Sequence, residues 1–212
     1  MLFDLTTLPA QDRYKLLAST IVPRPIAWVV SLNPAGRLNA APYSFFNVFS
    51  DDPPLVCIGI GGAAPGQPKD TAANIRAIGE FVVNLVPAAL MQAMHVTAIE
   101  FEPSVDELAE AGLTTLASAK VAPPRIAESP VALECVTEQV VALPNARSLV
   151  MGRVVAMHVR DDAVLDAARC RIDTPKLDLV GRVHGGGGYV RASGPGVFEQ
   201  ARIKLHDWAR RT

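Results

Sequence analysis

The sequence has few cysteines, and their placement excludes two common ways of stabilising a fold. Cys57, Cys135 and Cys170 are the three cysteines among 212 residues, and no two of them form a C-x-x-C pair. An odd and widely spaced set supports neither a disulfide framework nor a zinc site. Cys57 and Cys135 lie in strand-like runs, so we expect both to be small buried apolar side chains. A reducing, cytoplasmic setting fits this use of cysteine.

The chain also lacks an excess of either charge. It carries 20 basic and 21 acidic residues, whereas nucleic-acid-binding proteins usually show a basic excess. The same balance argues against electrostatic binding to a membrane surface. The longest apolar runs are far shorter than the roughly 20 residues of a membrane-spanning helix, and residues 1–17 lack the basic and apolar regions of a secretory signal. We therefore expect neither nucleic acid nor a membrane as a partner.

Several familiar catalytic motifs are missing as well. There is no G-x-S-x-G nucleophile motif and no P-loop, and the four histidines lack the spacing of a metal site. Residues 59–64 match G-x-G-x-x-A, but Pro65, Gly66 and Pro68 interrupt the helix that a dinucleotide site requires at that point. We expect a Gly-rich loop there, and a mobile loop at residues 185–188.

What the sequence does contain is a series of β-type segments joined by short turns. Bulky and β-branched residues predict strands over residues 25–32, 55–60 and 81–86. Pro34 and Gly36 predict a turn that returns the chain through residues 37–43. Residues 131–143 and 149–159 form a second predicted hairpin around residues 144–147. Many strands with few helices between them favour an antiparallel barrel with peripheral helices over a parallel sheet.

Helical patterns are shorter. Residues 70–79 predict a helix with Asp70 or Thr71 as its cap, Ile75 and Ile78 on one face, and Gly79 at its end. Residues 88–95 and 105–111 predict short helices, residues 162–168 a short helix or a turn, and residues 197–211 a helical tail. We expect a single domain over residues 1–212, with its core at about residues 14–192.

Two segments are candidates for ligand binding. Lys69, Asp70 and Thr71 precede a predicted helix, whose free N–H groups and partial positive charge suit a phosphate; the alternative is an ordinary cap with a solvated lysine. Residues 39–47 combine small, aromatic and hydrogen-bonding side chains, so Asn39 and Ser44 could bond the polar edge of a flat ring. The alternative for that segment is a strand end with Phe45 and Phe46 as a packed aromatic pair.

Five linked segments together resemble the flavin-reductase-like, FMN-binding split-barrel family. They are PRPIAWVVS at residues 23–31, NAAPYSFFN at residues 39–47, DPPLV at residues 52–56, KDT followed by NI at residues 69–75, and GEFVVN at residues 79–84. Their order and spacing match the family as well as their letters, which makes the set far more specific than any one motif. Residues 145–152 and 181–189 resemble later family segments.

The resemblance implies a mainly β, Greek-key split barrel that binds FMN near a homodimer interface. It implies electron transfer from NADH, NADPH or another donor, with the hydride going to flavin N5. The matching motifs imply that Lys69 and Thr71 bind the FMN phosphate. They imply that the remaining candidates contact the flavin ring or its ribityl chain. These are Arg24, Ser31, Asn39, Ala41, Ser44 and Phe45. No protein acid or base is required, because the flavin carries the chemistry.

One departure from the family keeps a second function open. Relatives with reductase activity often carry Gly-Asp-His at the later hairpin, where this chain has Asn145, Ala146 and Arg147. The first hypothesis is an NAD(P)H-dependent flavin reductase, whose reduced flavin could serve a separate monooxygenase. The second is an FMN-holding protein that carries electrons or senses redox state without a nicotinamide reaction. An activity like that of pyridoxamine-phosphate oxidase ranks lowest. Whether Arg147 or His184 contacts the donor stays open.

Overall fold

The fold is described by a computed structural model that covers residues 1–102 and 104–198. The helices are α1 (Ala10–Thr20), α2 (Asp70–Ile78), α3 (Met91–Val96), α4 (Glu107–Glu110) and α5 (Thr174–Leu177), with 3₁₀ turns at Ala88–Leu90 and Asp161–Ala163. The predicted helical tail spans residues 197–211, and its part from residue 199 onward lies outside the described residues.

The strands outnumber the helices, and all strand pairings of the described residues are antiparallel. They are β1 (Ala27–Leu32), β2 (Leu38–Tyr43), β3 (Phe46–Asp51), β4 (Pro54–Ile60), β5 (Gly62–Ala64), β6 (Gln67–Pro68), β7 (Glu80–Asn84), β8 (Thr115–Leu116), β9 (Arg125–Ile126), β10 (Val131–Leu143), β11 (Arg147–Val159), β12 (Val164–Asp166), β13 (Arg171–Ile172), β14 (Val180–Val183) and β15 (Gly188–Arg191).

Seven strands form the main sheet in the order β2-β1-β7-β10-β11-β4-β3. The strands at its two ends, β2 and β3, are consecutive in the chain, and only Ser44 and Phe45 separate them. One bent segment, residues 38–51, therefore pairs with β1 through its first half and with β4 through its second half. This segment connects the two ends of the sheet, as expected for the predicted split barrel.

Both faces of β1 are buried, which explains why its sequence is almost continuously apolar. Ala27 and Val29 belong to one core cluster, together with Ile75 of α2, while Trp28 and Val30 belong to a second. The second cluster lies between the sheet and the short helices, since it includes Met94 and Leu108. Each fully buried large apolar side chain contributes about 1.5–3 kcal/mol.

Most of the predicted elements are confirmed. The turn after β1, the β10–β11 hairpin, α2 with its end at Gly79, and the burial of Cys57 and Cys135 are all present. The segment predicted as a short helix or turn is a 3₁₀ turn followed by β12. Among the described residues, no helix has both the length and the apolar character needed to cross a bilayer.

Three expectations about local structure are wrong. Neither Asp70 nor Thr71 caps α2; the capping position is Lys69, and no side chain of the described residues makes the capping bond. The Thr71 hydroxyl instead bonds to side chains of β2. Ile78 does not share the buried face of Ile75, since it is 37% exposed at the last turn. The segment after Phe45 is also a full strand, β3, which the sequence did not indicate.

Candidate functional site

The candidate residues gather around the bend between β2 and β3, which we call the β2–β3 corner and define as Ser44 and Phe45. Three cavities adjoin it and share lining residues. Pro42 and Tyr43 line both the polar and the small cavity described below, and Ser44 lines both the small and the apolar cavity. The end of β2 therefore runs past all three cavities, which we call the polar, the small and the apolar cavity.

The polar cavity, of about 230 Å³, contains four of the candidates: Asn39, Ala41, Lys69 and Thr71. The Thr71 hydroxyl accepts hydrogen bonds from Asn39 Nδ2 and Tyr43 Oη, each at 2.9 Å. Burial raises the pKa of Tyr43 to about 12, so its hydroxyl stays a donor near neutral pH. These bonds tie the start of α2 to β2 and hold both elements at the cavity wall.

The charges around the polar cavity are mixed. Lys69 Nζ lies 3.2 Å from Glu100 Oε1, and Asp70 and Glu107 line the same space. Burial raises the pKa of Glu107, whose carboxylate accepts the backbone N–H of Ala40 at 3.1 Å. One lysine thus faces three acidic side chains, a less favourable setting for a phosphate than the sequence suggested. The uncapped start of α2 still offers N–H groups to an anion.

The apolar cavity is larger, about 430 Å³, and contains Arg24, Ser44 and Phe45. Most of its wall is apolar and comes from the end of α1 and from β3; the side chains include Leu17, Ile21, Phe46 and Phe49. Gly59 completes the wall where its backbone N–H donates to the carbonyl of Phe45 at 2.7 Å. A Cβ at Gly59 would lie 3.2 Å from Phe45 Cβ, a tight contact that favours glycine there.

Arg24 is buried beside this cavity, with 5% of its surface exposed. Its Nη1 donates to the carbonyls of Ala18 at 2.6 Å and Ile21 at 2.9 Å, and its Nε to Ser44 Oγ at 3.4 Å. These bonds fasten the end of α1 to the β2–β3 corner. Arg24 Nη2 is buried and has no hydrogen-bond partner among the residues that the structure describes.

The small cavity, of about 140 Å³, lies between the other two. Its polar lining consists of Tyr43, Ser44, His95, Arg182 and Tyr189. Sequence reasoning placed residues 181–189 in a family segment but did not name Arg182 or Tyr189 as site residues. The resemblance of residues 181–189 to a family segment was the available signal, but the two side chains come together only through the pairing of β14 with β15.

Three other residues named from the sequence lie outside these cavities. Ser31 is fully buried, and its hydroxyl accepts from Asn74 Nδ2 at 3.2 Å, a bond that braces α2 against β1. Arg147 and His184 line none of the three cavities. His184 has a positive φ of 39°, and its Nδ1 accepts from the backbone N–H of Gly186 at 3.3 Å.

Comparison with known proteins identifies the family. Residues 18–174 match the model of the flavin reductase like domain. The chain belongs to the flavin-reductase-like family. It is 43% identical over 210 residues to an uncharacterized protein of Deinococcus radiodurans, covering 97% of this chain and 91% of that protein.

Two solved structures are similar to this flavin-reductase-like chain over nearly its whole length. The first is nitrilotriacetate monooxygenase component B from Bacillus cereus, with a TM-score of 0.86, 32% identity, and coverage of 96% of this chain and 98% of that one. The second is 2-nitrobenzoate 2-nitroreductase NbaA from Pseudomonas fluorescens, with a TM-score of 0.83, 31% identity, and coverage of 97% and 96%. The predicted split-barrel fold is confirmed, and the family supports a flavin-related redox function.

Proposed function

We propose that this protein binds FMN around the β2–β3 corner and acts as an NAD(P)H-dependent flavin reductase. When bound, the flavin would supply the redox chemistry by accepting a hydride at N5. The observation that carries the proposal is that motif residues from separate parts of the chain line two adjoining cavities. Asn39 and Ala41 of β2, with Lys69 and Thr71 at the start of α2, line the polar cavity. Arg24, Ser44 and Phe45 line the adjoining apolar cavity.

The residues present fit a flavin. The aromatic and aliphatic walls of the apolar cavity suit a flat ring system, and Gly59 and Ala41 keep the backbone accessible. Arg24 Nη2, which has no partner within the described residues, offers a donor to a polar edge or an anionic group. Asn39 and Ser44 supply further polar contacts, while Lys69, Thr71 and the start of α2 are the residues proposed for the phosphate. Ser31 would act indirectly, by holding α2 in place through Asn74.

A second candidate is an FMN-holding electron carrier. The feature that favours it is the β10–β11 turn, where Asn145, Ala146 and Arg147 replace the Gly-Asp-His of many relatives. Asn145 and Ala146 adopt positive φ angles of 61° and 55°, as the two central residues of a tight hairpin turn do, so the difference from those relatives lies in the side chains. The two candidate functions, flavin reductase and electron carrier, differ only in whether a reduced nicotinamide delivers the electrons to the flavin.

The destination of the electrons and the oligomeric state belong to the same proposal. Similarity to a monooxygenase component B supports transfer of reduced flavin to a separate monooxygenase. The apolar cavity has exposed apolar rims at Ile21 (61%) and Phe49 (68%), which supports a homodimer with the flavin near its interface. A cytoplasmic location stays a prediction from cysteine use.

The binding step is tested by titrating the purified protein with FMN, FAD and riboflavin. We expect FMN to bind with a quench of flavin fluorescence or a shift of its absorbance bands, and to bind more tightly than riboflavin because of its phosphate. FAD serves to test whether the site accepts the larger dinucleotide. No spectral change at saturating FMN would remove the proposal.

A further inference from the structure

A buried arginine, Arg24, and a half-buried one, Arg182, lie opposite each other beside the β2–β3 corner. Arg24 and Arg182 form an isolated antiparallel bridge, in which the N–H of each donates to the carbonyl of the other at 2.9 Å and 2.7 Å. Residues directly opposite each other in an antiparallel pair carry their side chains on the same face. Ser44 connects the two, because it accepts from Arg24 Nε and lines the small cavity together with Arg182.

Neither guanidinium is neutralised by a carboxylate among residues 1–102 and 104–198. Arg182 bonds to Tyr189 Oη at 2.7 Å and reaches the Gly185 carbonyl at 3.4 Å, and its Nε is buried without a partner in that part of the chain. Arg24 Nη2 is likewise buried without a hydrogen-bond partner in that part of the chain. Burying a charge is costly unless it is paired, so the partnerless nitrogens of both guanidiniums would be stabilised by an anion.

The surroundings are those of an anion site. Among the residues that the structure describes, no acidic side chain lines the small or the apolar cavity, whereas Asp70, Glu100 and Glu107 line the polar cavity beside Lys69. The small cavity adds His95 and the Ser44 hydroxyl as possible donors. Its volume of about 140 Å³ suits one compact group. In the described part of the molecule, arginines without a carboxylate partner therefore lie at the small and apolar cavities, whereas acidic side chains line the adjoining polar cavity.

We propose that Arg24 and Arg182 form a phosphate-binding subsite at the junction of the small and apolar cavities. A phosphate group presents several charged oxygens, and the planar fork of arginine binds such oxygens in pairs. Both nucleotides of the proposed function carry this group, so the identity of the ligand rests on that function: it is the phosphate of FMN or the pyrophosphate of the nicotinamide donor. The subsite itself rests on the arginines and their surroundings.

Pyrophosphate is the direct probe, because its binding does not depend on a flavin or on turnover. Calorimetric titration of the purified protein should show binding that Arg182→Gln weakens about tenfold to a hundredfold. Arg169→Gln is the matched control, since that side chain is 77% exposed, and it should leave the affinity unchanged. Arg182→Lys keeps the charge without the fork, so it should give a smaller loss; it replaces Arg182→Gln if the latter does not fold.

The same variants distinguish the two sources of the phosphate. If Arg182→Gln abolishes the preference for FMN over riboflavin, the subsite holds the flavin phosphate. If that preference survives and the affinity for the nicotinamide nucleotide falls, the subsite holds the donor. Either result supports the subsite. It is overturned if the parent protein does not bind pyrophosphate, or if folded Arg182→Gln binds pyrophosphate as tightly as the parent. Failure of flavin binding would count against the proposed function alone, because pyrophosphate binding is measured independently.

Discussion

At the scale of single residues, the site depends on buried polar side chains that connect distant parts of the chain. Thr71 is the clearest case: it is 1% exposed and joins α2 to Asn39 and Tyr43 of β2. Arg24 plays a comparable part for α1, whose last carbonyls it binds. Such residues position the cavity walls, so their replacement would disturb the fold as well as ligand binding.

Lys69 offers a cleaner test, because its side chain is partly exposed and its ion pair with Glu100 is at the surface. If Lys69 contacts the FMN phosphate, Lys69→Ala should weaken FMN binding by about tenfold, the lower end for a charged hydrogen bond, since solvent and Glu100 reduce its effect. Riboflavin affinity should change little. Fluorescence titration with both ligands provides the comparison.

Lys120→Ala is the control for this change, since Lys120 is also exposed and lines none of the three cavities. Unchanged FMN affinity in Lys69→Ala would remove Lys69 from the site. Equal losses for FMN and riboflavin would indicate a folding defect or a contact with the ring.

The residue-level comparison shows what the sequence could predict. The motif residues were identifiable because they lie in short, ordered segments, and all but Ser31 line the polar or apolar cavity. The role of Thr71 was not identifiable, because its partners on β2 are 28 and 32 positions away. The pairing of Arg24 with Arg182 was hidden for the same reason.

At the scale of elements, a buried carboxylate fastens a loop to the long hairpin. Glu134 of β10 is fully buried and accepts the backbone N–H groups of Ala119 at 2.7 Å and Lys120 at 2.6 Å. The ring nitrogen Nε2 of His158, on β11, lies 2.5 Å from Glu134 Oε1. Burial alone would raise the pKa of Glu134, but the N–H of Ala119, the His158 ring and the N–H of Lys120 together lower it.

Replacing this carboxylate should therefore destabilise the protein. Glu134→Gln places an amide against N–H donors and should lower the free energy of unfolding by about 1–3 kcal/mol at neutral pH. Because the folded pKa of Glu134 is lowered, its contribution is complete above the unfolded pKa of about 4.3 and is lost as the pH falls through the folded value. The difference between parent and variant should shrink in that acidic range.

Urea unfolding at several pH values measures this difference. Glu138→Gln is the matched control on the same strand, because its ion pair with Arg153 is exposed and should contribute at most about 1 kcal/mol. Equal stability of Glu134→Gln and Glu138→Gln at neutral pH would contradict the account. The single acid within the apolar run of residues 131–136 was the sequence signal for this buried group.

The element that sequence reasoning missed, β3, is a different case. Its Asn47, Ser50 and Asp51 resemble a loop, and Val48 and Phe49 are 67% and 68% exposed. Pairing with β4 makes this segment a strand. A strand fixed by its partner and not by its own pattern cannot be found from local sequence.

At the scale of the whole molecule, the bent segment that connects the two ends of the sheet also presents apolar side chains outward. Phe49 of β3 and Ile21 after α1 border the apolar cavity, so a second copy of the chain is expected to cover this face. Light scattering should return a mass twice that of the chain. Phe49→Asp should shift it toward the monomer and weaken FMN binding.

Leu165→Asp is the control for this substitution, because Leu165 is 64% exposed on the separate β12–β13 hairpin and should leave the dimer intact. A parent protein that remains a stable monomer with FMN bound would exclude the homodimer. Dissociation of Leu165→Asp, but not of Phe49→Asp, would place the interface on another face.

The central claim is that this barrel uses a bound flavin to accept electrons from a reduced nicotinamide. The direct measurement is an anaerobic experiment in which FMN-loaded protein is mixed with NADH or NADPH while the visible absorbance of oxidised flavin is followed. The account predicts that at least one donor bleaches this absorbance faster in the presence of the protein than with free FMN. Flavin that stays oxidised with both donors, but is bleached by a chemical reductant, would contradict it and leave the electron carrier as the remaining function.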